Sequence, residues 1–140
     1  MHSKGYYTYH PQIYPRHLYI VIGNNKDDIV KTFGVDGKYL NQVDSDVDAM
    51  TFREVKNKVT GKLGYLIIFS SKKEMTMKVI CHEAFHVLSG FMDVLPLSRE
   101  PNGSNEHLAY LLDWICGCIN MARLGKGEFK EFESIKQKSL

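Results

Sequence analysis

Apolar residues come in short β-branched and aromatic runs through the first half of the chain and in long stretches of helical period through the second. Residues 17–23, HLYIVIG, end on a glycine and predict a largely buried strand. Asn25 stands where it would cap a short helix over about 26–33, with Gly34 as its C-terminal stop. Residues 34–48 are polar and rich in Asp and Gly, the composition of a loop. Residues 50–59 and 62–70 read as two strands joined around Thr60 and Gly61, so a hairpin is expected. Ser71 and Glu74 then form a capping-box pattern, S-K-K-E, ahead of the longest apolar-periodic stretch, which places a helix from there to about Phe91. Pro96, Pro101 and Gly103 make residues 92–104 a loop, after which Ser104 or Asn105 caps a second long helix that ends before Gly125.

The two ends carry weaker signals. Residues 1–15 set Tyr6, Tyr7, Tyr9 and Tyr14 around Pro11 and Pro15, a pattern that permits a short edge strand without requiring one and is read as an arm. Residues 125–140 are charged and at most a short surface helix. No repeat or linker divides the chain, so residues 1–140 are expected to form a single α+β domain, a small, mostly antiparallel sheet packed on two long helices.

Composition narrows the function classes. A chain of 140 residues, 44% hydrophobic and 24% charged, is large enough to build its own core without disulfides or structural metal. The net charge of +2 comes from dispersed basic residues and leaves no footprint for a nucleic acid. No run approaches the roughly eighteen apolar residues of a membrane span, and the N-terminus lacks a signal-like apolar core, so a cytoplasmic protein is expected, or one exported by a route not written in its sequence. Cys81, Cys116 and Cys118 are an odd count in apolar helical stretches, where reduced cysteine packs as a small hydrophobe. Cys116 and Cys118 would lie roughly 200° apart on a helix and cannot converge on one metal ion.

Within the first long helix the chain reads Cys81-His82-Glu83-Ala84-Phe85-His86, the H-E-x-x-H pattern. In this composition it would arise by accident in about one or two per cent of chains. Two histidines four apart on a helix lie one turn apart on the same side, so both rings can reach one ion. Met75, Met77, Val79, Ile80, Ala84, Phe85, Val87, Leu88 and Phe91 cover almost the whole circumference, which predicts a buried helix. Burying two imidazoles and a carboxylate without partners is expensive, and a bound metal would compensate them. The competing reading makes His82 and His86 ordinary core histidines with Glu83 as an ion-pair partner. Zinc suits neutral imidazole, while iron, nickel or cobalt would also bind.

A third ligand has to come from elsewhere, and the second helix opens with Asn105-Glu106-His107-Leu108-Ala109-Tyr110. Glu106 falls in the first helical turn, where a carboxylate is favoured. It shares one stripe with Tyr110, Asp113 and Gly117, opposite Leu108, Leu111, Leu112 and Ile115. His107, about 100° round the helix, is the rival ligand. Asp113 is placed either to accept a hydrogen bond from a ligating histidine or to sit on the helix surface, and Asp93 reads as a surface residue beyond the first helix.

HEAFH followed nineteen positions later by NEHLAY resembles the gluzincin branch of the zincin metallopeptidases, whose third ligand is a Glu on a following helix. It is most similar to minimal gluzincin-like domains, including ones encoded by phages and prophages, that pair H-E-x-x-H with a later E-x-x-A-Y. The resemblance covers residues 50–124, and no stretch matches the family's larger C-terminal subdomain. It implies a zincin-like fold, one Zn2+ per chain on His82, His86 and Glu106, and peptide-bond hydrolysis with Glu83 as general base. Tyr110 would stabilise the oxyanion or orient Glu106. A polypeptide substrate would lie extended along a sheet edge near the strand over 64–70. Two other functions share the motif: a zinc-binding regulatory module without turnover, and an amidase acting on non-peptide substrates.

Overall fold

In the computed structural model, which describes residues 4–43, 45–95 and 97–132, the two most apolar runs lie side by side in a sheet. They are β2 (His17–Ile22) and β4 (Leu63–Phe69), running parallel with His17 beside Gly64 and Ile22 beside Phe69. Leu18–Val21 and Tyr65–Phe69 are completely or almost completely buried on both sides of the sheet. A sheet covered on both faces needs near-continuous apolar strands in place of alternation, which is what these runs supply.

β3 (Ala49–Lys56) pairs antiparallel with β4, β1 (Gly5–Tyr9) antiparallel with β2, and β5 (Glu128–Glu131) antiparallel with β1, giving the order β3-β4-β2-β1-β5. The hairpin of β3 and β4 forms as expected, with a bulge between Phe52 and Val55 where Glu54 takes φ 54°. On one face lie α1 (Lys26–Phe33) and α2 (Gly37–Leu40), whose Ile29, Phe33 and Leu40 pack with Tyr19, Val21, Leu66 and Ile68. On the other lie α3 (Met77–Val94) and α4 (Glu106–Arg123), packed on Leu18, Ile20, Tyr65, Ile67 and Phe69. The molecule is a small α+β fold with a five-stranded mixed sheet in which three of the four strand pairs are antiparallel. Among the described residues no helix is long and apolar enough to cross a membrane.

Several elements depart from the expected ones. The N-terminal segment is no loose arm, because Gly5–Tyr9 is an interior strand with neighbours on both sides. Tyr6 closes an aromatic cluster with Tyr19, Phe33 and Phe132, ring centroids 5.2–5.9 Å apart. The start of the charged tail is also a strand, and Gly125 and Gly127, at φ 74° and 114°, turn the chain into it. Residues 133–140 lie outside the described residues. The loop over 34–48 contains α2, whose N-cap Asp36 accepts from the Lys38 amide at 3.0 Å and which Val35, Leu40 and Val43 anchor in the core. Ser71 caps a short 3-10 turn (Lys72–Glu74) and makes no side-chain cap bond, so the capping box does not form. The long helix begins instead after Thr76, whose hydroxyl accepts from the Val79 amide.

Candidate metal centre

The H-E-x-x-H segment occupies the second and third turns of α3, and one close approach fixes how that helix meets the sheet. At Gly90 a Cβ would stand 2.5 Å from the Tyr65 ring, so glycine is what lets α3 sit directly on β4. Glu83 lies seven residues earlier on the same side, and its side chain reaches β3, where the Thr51 hydroxyl donates to Glu83 Oε1 at 2.8 Å. Only 7% of the Glu83 side chain is exposed. A carboxylate taken this far from water needs a donor, and Thr51 provides it.

His82 and His86 sit on the outer side of the helix. Their Nε2 atoms are 3.2 Å apart, with the rings edge to face at a centroid distance of 4.9 Å. Glu83 Oε2 is 3.9 Å from His82 Nε2. The His82 side chain is 67% exposed, and Met77, Cys81 and Phe85 are exposed too. The expectation of a helix buried all round is therefore wrong. Its apolar residues over-count the core face because Met77 and Phe85 point to solvent, and the desolvation argument for a metal holds for Glu83 alone.

The α4 residues do not join the pair. Among the described residues no group of three or more His, Cys, Asp or Glu side chains converges as metal ligands would. Glu106 is exposed in the first turn of α4 and makes no ion pair or hydrogen bond with any described residue. Its stripe with Tyr110, Asp113 and Gly117 is exposed and does not face the histidine pair, while Leu108, Leu111 and Ile115 are buried. Tyr110 contacts neither Glu106 nor the histidines by hydrogen bonding, and Asp113 holds no histidine nitrogen. His107 is committed elsewhere, since its Nε2–H donates to the Ser98 carbonyl at 3.0 Å. Asp93 lies inside α3, which continues to Val94, and pairs with Arg53 at 2.7 Å on the surface. Asn105 spends its side chain on the preceding loop, accepting from the Glu100 amide at 2.6 Å, and leaves the helix without a side-chain cap.

All three cysteines are free. Burial pushes the Cys118 thiol up to about 12 and raises Cys116 as well, with the neighbouring Cys81 and Asp113 adding to the effect. Cys81 is exposed, so the packing role expected of it does not hold.

The donor set can be tested against an ion. Two imidazole nitrogens on one tetrahedral zinc, each at about 2.0–2.1 Å, stand roughly 3.3 Å apart. The observed 3.2 Å matches that spacing, and it equally allows one ring to donate to the other. Thr51 is the residue of this site that sequence reasoning missed, since a single threonine in a strand carries no pattern and its partner lies 32 positions away. No protein-family model, no curated protein and no solved structure matches this chain.

Proposed function

We propose that this protein is a zinc-dependent peptidase on a zincin-like scaffold. The observation that carries the proposal is the pair of imidazole nitrogens 3.2 Å apart, His82 exposed and His86 half-buried, with a nearly buried carboxylate beside them. His82 and His86 would hold the metal, and Glu106, exposed and free of other partners among the described residues, would be the third ligand once brought to the pair. A zinc ion there supplies Lewis acidity toward a scissile carbonyl. Glu83 accepts a proton from the attacking water and delivers it to the leaving amine. Its two oxygens divide this work, Oε1 bound by Thr51 and Oε2 toward His82.

β3 lies at the sheet edge beside α3, so its outer backbone groups are open to an extended polypeptide. The exposed Glu106, apart from the histidine pair, favours a second reading, a zinc-binding module without turnover.

Metal analysis of protein purified without chelator separates the site from its absence: about one zinc per chain is expected. Well under half occupancy, with no uptake on adding zinc, sinks the proposal. Digestion of a proteome-derived peptide library separates enzyme from silent module, and Glu83→Gln should keep the zinc while lowering turnover by roughly 10² or more.

A further inference from the structure

We infer that Thr51 is the positioning residue for Glu83, pinning one carboxylate oxygen so that the other faces the histidine pair; this rests on the reading of Glu83 as the base. A carboxylate has no proton to give, so the Thr51 hydroxyl is the donor in the 2.8 Å contact to Oε1. That leaves Oε2 as the oxygen 3.9 Å from His82 Nε2. A bond to both oxygens would only satisfy a buried charge. A bond to one of them also selects the rotation of the carboxylate.

The hydroxyl is itself held firmly. Thr51 lies opposite Ile67 in the β3–β4 pairing, and Ile67 is completely buried. Its neighbours Met50 and Phe52 pack into the core on the other face of the sheet, so alternation turns Thr51 toward α3. A β-branched side chain in a strand is restricted at χ1, so the direction of its oxygen follows from the backbone. Glu83 lies on a helix seated against the same sheet at Gly90. Donor and acceptor are thus each fixed by an independent element.

The test has one arm that needs no turnover. In zinc-free protein carrying 13C-labelled glutamate carboxyls, the Glu83 carboxyl signal is assigned by its loss in Glu83→Gln. It should move in Thr51→Val, which keeps the shape and removes the hydroxyl, and return in Thr51→Ser. Thr51→Ala is read the same way should Thr51→Val not fold. In the second arm, with zinc-loaded protein and a peptide taken from the library digest, Thr51→Val should lose roughly 10- to 100-fold in kcat with KM nearly unchanged. Thr51→Ser should recover most of that loss. An unmoved Glu83 signal in Thr51→Val overturns the inference, as does a kcat loss that serine does not recover. A wild type that takes up no zinc defeats the peptidase reading, and the role of Thr51 with it. Normal zinc uptake with an unmoved signal defeats only Thr51.

Discussion

His82, Glu83 and His86 are consecutive enough that helix geometry alone sorts them. The imidazoles four apart share the outer side of α3, while Glu83, about 100° round from His82, turns inward to Thr51. The adjacent residues Glu106 and His107 are sorted the same way, and here the outcome bears on metal binding. His107 already donates to the Ser98 carbonyl, whereas Glu106 is exposed and without a partner among the described residues. Zinc affinity measured by chelator competition should therefore fall far more than 10- to 100-fold in Glu106→Ala and change little in His107→Ala. Release of the metal by His107→Ala together with its retention by Glu106→Ala would remove Glu106 from the site and turn the ligand-bearing face of α4 by about a quarter turn.

At the scale of elements, the decisive contact is α3 on β4. Replacing Gly90 by Ala would add helix propensity of about 1 kcal/mol, but the new methyl meets the Tyr65 ring at 2.5 Å. That ring cannot retreat, being completely buried and packed on Phe91 at a centroid distance of 4.8 Å. Overpacking of this kind costs roughly 1–3 kcal/mol, so the balance is unfavourable. Gly90→Ala should lower the denaturant midpoint at unchanged slope, and a variant more stable than wild type would show that the helix has room to shift. α1, the β3–β4 hairpin and the H-E-x-x-H helix follow from local pattern, since their residues sit within a few positions of one another. β5 is invisible locally because Glu128–Glu131 contains no β-branched residue; it is a strand only because β1 lies alongside. α2 hides in a polar segment whose three buried anchors, Val35, Leu40 and Val43, follow no strand or helix period. The histidine pair is legible for the same local reason, whereas Thr51 and the placement of Glu106 depend on how distant elements dock.

The whole molecule is three layers, and the proposed metal touches only the outermost one. His17 probes the opposite end of β2 from Ile22. Its ring stacks on Tyr19 and lies 4.5 Å from the His10 ring, and burial, with His10 and Lys62 adding to it, lowers its pKa while Glu128 opposes the shift. The unfolded chain therefore protonates at a higher pH than the folded one. The stability involved is intact above about 6.5 and is lost as pH falls below it toward the lowered folded value, after which the loss levels off. His17→Gln should remove this part of the acid limb, read as the difference between unfolding free energies of wild type and variant across pH; parallel curves would exclude it.

Zinc tests whether the layers unfold as one. An ion bound to the native state alone stabilises the whole cooperative unit by about 2.7 kcal/mol at a free concentration 100 times its Kd. α3 shares its core with β2 and β4, and these strands share theirs with α1 and α2, so the gain should appear in a single global transition. For a domain of this size that corresponds to a rise in Tm on the order of 10 °C, less whatever zinc binds to cysteine and histidine in the unfolded chain. His82→Ala and His86→Ala should each abolish the rise, while Glu83→Gln should keep it, because the role proposed for that residue is proton transfer and not metal binding. An equal rise in the histidine variants would place the bound zinc somewhere other than on α3.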